Sequence, residues 1–148
     1  MNEFIINILG TISTWNYSKS YVKYFLDQAK NKPVRVKVTS YGGDVNEAIA
    51  ISNLFAEHGD VTVEFIGFNA SAATWMAFGA KNIEVHEDTF MLVHNCSMAV
   101  EIYGSLTSEQ LDEKIKELQN AKNAAESINV MIAKKYYDRC QKKGKTMK

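Results

Sequence analysis

Residues 34–40, VRVKVTS, alternate Val34, Val36 and Val38 with Arg35 and Lys37. A period of two predicts a strand with one face buried. Apolar runs at EFIINIL, ended by Gly10, and at VTVEFIG predict two further strands. NIEVH and TFMLVHN predict two more, separated by a turn around Glu87 and Asp88. Between them the period lengthens. YSKSYVKYFLDQAKN places Tyr21, Val22, Phe25 and Leu26 on one helical face, and VNEAIAISNLFAEHG reads as a second helix stopped by Gly59. His58, just before Gly59, is placed to cap the last carbonyls of that helix. SAATWMAFGA is short, rich in small residues and apolar on every side, so it predicts a buried helix.

The pattern changes at Thr107. Thr107 with Gln110 fits a capping box. Leu111, Ile115, Leu118, Ala125, Ile128, Ile132 and Tyr136 then follow at helical spacing. They predict one helix of about eight turns over 107–138, with a narrow apolar stripe. Such a helix lies against one partner face or projects from the body. The order β-α-β-α-β-α-β-β-α implies an α/β protein with a mostly parallel sheet. Active sites of such folds gather at the carboxyl ends of strands. Here those ends read TSYGGD, IGFNAS and VHN.

Three groups at these ends carry chemistry in combination. A serine hydroxyl needs a base within hydrogen-bond reach to become a nucleophile, and Ser71 and His94 are the pair on offer. A developing oxyanion needs preorganised N–H donors. The turn Gly42-Gly43 and Ala72, at a helix start, can supply them. Each part has an ordinary structural reading as well. Ser71 suits an N-cap, His94 a strand end, and Gly42-Gly43 a plain turn. Cys96 lies two residues past His94 and reads as a small apolar filler, although a Cys–His pair can be nucleophilic. Trp15, Trp75, Phe78 and Phe90 read as core or subunit-contact residues.

Composition narrows the classes. The chain has 148 residues, with 17 Lys plus Arg against 17 Asp plus Glu. Zero net charge argues against a nucleic-acid partner, which demands a basic excess. Its only basic bias is the tail KKYYDRCQKKGKTMK, which complements a helix C-terminus. Cys96 and Cys140 give no disulfide framework, and the three histidines give no metal-ligand spacing. The N-terminal stretch lacks a basic n-region, and no apolar run approaches the roughly 20 residues of a membrane span. One domain without metal or cofactor, in a reducing cytoplasm, is the expectation.

VKVTSYGGDVNEAIAISNLF, GFNASAATWMAFGAKN and FMLVHN resemble, in order and spacing, the active-site blocks of the ClpP-like serine proteases. The nearest flavour is the phage and prophage head-maturation branch. The resemblance runs from about Glu3 to the chain end. It implies a ClpP/crotonase-like fold of repeated β-α-β units with a long projecting C-terminal handle helix. It also implies Ser71 as nucleophile, His94 as general base, and Gly43 and Ala72 as oxyanion-hole donors. Partners by this resemblance are a protein or peptide substrate, a homo-oligomeric heptameric ring stacked in pairs, and an AAA+ unfoldase. For a prophage relative, substrates would be capsid or scaffold proteins of the prohead.

Two positions depart from that pattern. Tyr41 stands where the family usually has proline, which predicts a looser turn and a less defined Gly43 N–H. The family's third triad member is an acid beyond the handle, in a segment that would begin about where this chain reaches Lys148. Asp138, the last acid, is too near the handle's end to fill that role easily. Two alternative readings follow. One is a catalytically impaired ring or assembly protein, favoured by the missing acid. The other is a crotonase-like acyl-CoA enzyme, which shares the two-donor oxyanion hole but has no need of Ser71 with His94.

Overall fold

Val34, Val36 and Val38 turn to one side of their strand and are fully buried, while Arg35, Lys37 and Thr39 face outward half-covered. The same alternation runs through Val61, Val63 and Phe65. It marks a sheet with helices on one face only. In the computed structural model the sheet has five strands, all parallel: β1 (Phe4–Ile8), β2 (Val34–Ser40), β3 (Val61–Ala70), β4 (Asn82–Val85) and β5 (Met91–Leu92). The strand order is β1-β2-β3-β4. β5 pairs with the last two residues of β3. The structure describes residues 3–142, and the chain divides into two compact units, Met1–Val93 and His94–Lys148.

Helices α1 (Lys19–Ala29) and α2 (Val45–His58) cover the apolar face, burying Val22 and Leu26 from one and Ile51 and Phe55 from the other. Both begin on side-chain caps. Ser18 accepts the Tyr21 N–H at 3.1 Å. Asp44 accepts the N–H groups of Asn46 and Glu47 at 2.7 and 3.1 Å. Glu47 also reaches across to α1, where it accepts the Lys19 backbone N–H at 2.6 Å. A carboxylate that is almost wholly buried thus satisfies an orphan donor at another helix's first turn. At the far end of α2, Gly59 takes a left-handed φ of 80° and donates to the Phe55 carbonyl at 3.1 Å. His58 does not cap: both ring nitrogens are buried without a hydrogen-bond partner. The Gly59 N–H serves the Phe55 carbonyl in its place.

β1 is shorter than expected by one residue at each end and β4 by one at its carboxyl end, and two strands differ more in length from the sequence expectation. β3 runs three residues further, to Ala70, because β2 and β5 continue to pair with Asn69. β5 is only two residues long, because its partner ends at Ala70 where the chain turns away. His94 therefore lies beyond the strand, not at its end. The expected buried helix is α3 (Ala72–Met76), buried at every residue and continued by one 3₁₀ turn, Ala77–Gly79. Of the aromatics expected in core or contacts, Trp75 is buried, while Trp15 and Phe90 are exposed.

In the second unit α4 runs Ser108–Lys142, 35 residues, so Asp138 lies inside it. The capping box forms as expected. Thr107 donates its N–H to Gln110 Oε1 at 3.0 Å, and Gln110 returns its N–H to Thr107 Oγ1 at 3.4 Å. The irregular segment before it runs back along the helix, where the Cys96 N–H donates to Asn129 Oδ1 at 2.6 Å. No residue of α4 up to Gln141 is buried, and Leu111 and Ile115 are exposed. Among the described residues no helix is long and apolar enough to cross a membrane.

Candidate active site

Ser71 joins β3 to α3 with φ 56° and ψ −129°. That conformation is a rare one for a residue with a side chain, and it holds only where the surroundings over-determine it. Here they do. The Ser71 N–H donates to the Leu92 carbonyl at 2.8 Å. Its own carbonyl accepts both the N–H and the hydroxyl of Thr74, at 3.0 and 2.7 Å. Ser71 occupies the N-cap position of α3, yet its hydroxyl makes no cap hydrogen bond. The Thr74 side chain closes the first turn instead. The cap reading and the chemical reading are therefore separable: the backbone caps, and the hydroxyl is left over. A sharp strand-to-helix turn of this kind is how a nucleophile is raised above a sheet edge.

The glycine turn packs directly on this residue. A methyl group on Gly42 would sit 2.8 Å from Ser71 Cβ and 3.0 Å from the Ala72 nitrogen. On Gly43 it would sit 2.1 Å from the Ile12 carbonyl oxygen. Both glycines have positive φ, 94° and 141°. Contact and conformation together demand glycine at each position. The turn is pinned from both sides despite Tyr41. Ile12 donates to the Gly42 carbonyl at 2.9 Å and accepts from Asp44 at 2.8 Å, and the Gly42 N–H donates to the buried Ser40 Oγ at 3.0 Å.

Those bonds also orient the candidate donors. Ile12 pairs with Gly43 through the groups on either side of it, so the Gly43 N–H points away from the bridge. Ala72 is the first residue of α3, where an N–H has no partner inside the helix. α3 has only five residues, so any anion stabilisation rests on such single N–H groups and not on a long summed dipole.

Ser71, Ala72, Gly42 and Gly43 thus come together in the first unit. His94 opens the second unit, where its Nδ1 lies 2.6 Å from the Asn95 carbonyl oxygen. A carbonyl only accepts, so this bond keeps the proton on Nδ1 and leaves Nε2 as the basic nitrogen. Cys96 and Cys140 are both free thiols, and Asp138 is exposed on α4.

The spacing of the motifs does not reveal Ser40 and Leu92 as parts of this site. For Ser40 a signal exists, since the β2 alternation puts it on the buried face beside the glycines. Leu92 enters only through β5 pairing, which no local pattern encodes.

Compared with known proteins, the chain matches the family model described as Clp protease over residues 1–146. No curated protein matches it. Among solved structures it is similar to a point mutant of ClpP1 from Listeria monocytogenes, with a TM-score of 0.64 and 21% identity over 89% of this chain and 71% of that one. A second structure of ClpP1 from Listeria monocytogenes matches 51% of this chain and 46% of its own length, at 24% identity and a TM-score of 0.47. The first likeness shows the fold.

Proposed function

The chain belongs to the Clp protease family, and from that premise we propose that it is a serine endopeptidase in which Ser71 is the nucleophile and His94 the general base. The observation that carries this reading is the backbone of Ser71, held at φ 56° with a hydroxyl that no cap employs. Strained residues of that kind cluster at active sites.

On this reading Ser71 Oγ attacks the carbonyl carbon of a peptide bond as Nε2 of His94 takes the hydroxyl proton. The N–H groups of Gly43 and Ala72 donate to the oxyanion that forms. The imidazolium then gives its proton to the leaving amine, and the C–N bond breaks. Water, activated by the same imidazole, releases the acyl group and restores Ser71. The Asn95 carbonyl supports this cycle, since it accepts from Nδ1 and fixes the imidazole tautomer.

The finer parts of the reading come from the sequence resemblance. They are ring assembly through α4, prohead capsid or scaffold proteins as substrates, and unfoldase-assisted delivery. A fluorophosphonate probe tests the core of the proposal. Labelling of the parent chain that disappears in Ser71→Ala is the expected result. Equal labelling of both, or labelling of neither, would remove Ser71 as nucleophile.

A further inference from the structure

The amino side of the Ser71 turn hangs on the chain segment that ends in β5. The Ser71 N–H donates to the Leu92 carbonyl at 2.8 Å, and the Asn69 N–H donates to the Phe90 carbonyl at 2.8 Å. β5 itself is two residues long, and Phe90, Met91, Leu92 and Val93 are all exposed, so burial does not fix it. Its position depends on how the preceding turn is tied. The chain leaves the sheet after Val85 and rejoins it at Met91. Over that gap the His86 N–H and the Thr89 hydroxyl both donate to the Phe65 carbonyl, at 3.1 and 3.0 Å. The His86 side chain adds a third tie, with Nε2 2.6 Å from Glu64 Oε1. A carboxylate only accepts, so Nε2 carries the proton of this bond. Glu64 is a firm anchor. It sits on an interior strand, its side chain is 13% exposed, and Arg35 holds it at 3.3 Å while also taking Glu3 and Glu84 at 2.7 and 2.6 Å. Lys37 stands beside Glu64 on β2 and adds positive charge there.

We propose that His86 is a positioning residue for the reaction: clasped by Glu64, its ring fixes the segment 86–92, and the Leu92 carbonyl passes that constraint to the Ser71 turn. The inference rests on the reading of Ser71 as nucleophile. Ser71 keeps its φ of 56° only while it is held on both sides, by Leu92 at its N–H and by Thr74 at its carbonyl. Thr74 belongs to the buried helix that follows and is fixed by packing. Leu92 has no such packing, so it is the side that can give way. A released turn relaxes and carries Oγ out of line with the oxyanion donors. Misalignment of that kind slows attack and leaves substrate affinity as it was.

The test compares the full chain with His86→Ala, which breaks the clasp, and His86→Gln, whose amide can still donate to Glu64. Amide hydrogen exchange reads the turn directly, because it reports local opening. In His86→Ala the amides of Asn69 and Ser71 should exchange about threefold faster, the scale of a partly exposed ion pair. Exchange along β2 should stay as in the parent, and His86→Gln should restore the parent rate at Asn69 and Ser71. Glu64→Ala should reproduce His86→Ala, and the double variant should lose nothing further. In fluorophosphonate labelling, His86→Ala should lower the maximal rate by a similar factor with the half-saturating probe concentration unchanged, again restored by His86→Gln. Unchanged exchange at Ser71 in His86→Ala would overturn the proposal. So would equal acceleration along β2, which would make His86 a general stabiliser, or a failure of His86→Gln to restore the rate. Labelling of the parent reads the nucleophile separately. If the parent is not labelled, Ser71 fails as nucleophile, and the exchange rates still decide whether His86 holds the turn. If labelling proceeds at one rate in all variants, the nucleophile stands and the positioning role falls.

Discussion

Ser71 is held in a conformation that glycine would adopt freely and serine does not. The protein gives up stability there, by about 1–3 kcal/mol for a residue of this kind. Ser71→Gly should therefore be more stable than Ser71→Ala by about 1 kcal/mol, once the flexibility of glycine is set against the relief of strain. Urea denaturation of the two variants checks it, and equal midpoints would mean that Ser71 is unstrained. This feature marks how far the residues alone could be read. Small side chains between an apolar strand and an apolar helix identify Ser71 as a junction residue. A backbone angle has no signature in residue type when the residue departs from its own preference. Gly42 illustrates the same limit. Two adjacent glycines announce a turn, but which one faces Ser71 depends on the bridge between Ile12 and Gly43, 31 residues apart in sequence.

Elements were legible where their pattern is local. The alternation of β2, the capping box of α4 and the Gly59 stop all follow from neighbouring residues. What joins elements was less so. Glu47 reads as a polar position near the start of α2, and nothing adjacent to it shows that its carboxylate ends against the first turn of α1. Glu47→Ala removes the acceptor and leaves the Lys19 N–H unsatisfied, which should cost about 1–3 kcal/mol. Thermal unfolding measures it, and a loss below about 0.5 kcal/mol would show the contact to be incidental. The ionic end of the sheet links four chain segments in the same way. The His86 hydrogen bond, at 2.6 Å, followed by that of Arg35, holds the Glu64 carboxyl below the usual carboxylate value of 4.5. A depressed folded-state pKa stabilises the protein above the unfolded value. That stability is lost as pH falls through 4.5 and then through the lower folded value. Glu64→Gln should thus unfold with a flatter acid limb than the parent, while the two converge at the lowest pH. Parallel limbs in a pH series of urea midpoints would remove Glu64 from the acid response.

At the scale of the whole molecule, two surfaces are unfinished. A parallel sheet is ordinarily covered on both faces, yet here the helices of its unit cover one. α4, at about 1.5 Å per residue, is on the order of 50 Å long, and Leu111 and Ile115 stand exposed at 48% and 62% near its start. The narrow stripe and the length of α4 could be read from spacing. What the stripe meets could not, because spacing describes a face and never its partner. A helix of this length with no buried residue gains little from its own unit, and apolar positions at its amino-terminal end favour self-association. The chain is therefore expected to run well above its 16.7 kDa in light scattering. Leu111→Asp with Ile115→Asp should bring the mass down toward that of one chain without loss of helical circular dichroism, since both side chains are solvent-exposed and both variants remain helix-compatible. Association should also make thermal stability rise with protein concentration in the parent and not in the variant, because copies that bind only the folded state stabilise it by mass action. A parent that scatters as a single chain across the micromolar range would show that the α4 stripe meets no second copy. A variant that keeps the parent's mass would place the contact elsewhere, with the open face of the sheet as the surface next tested.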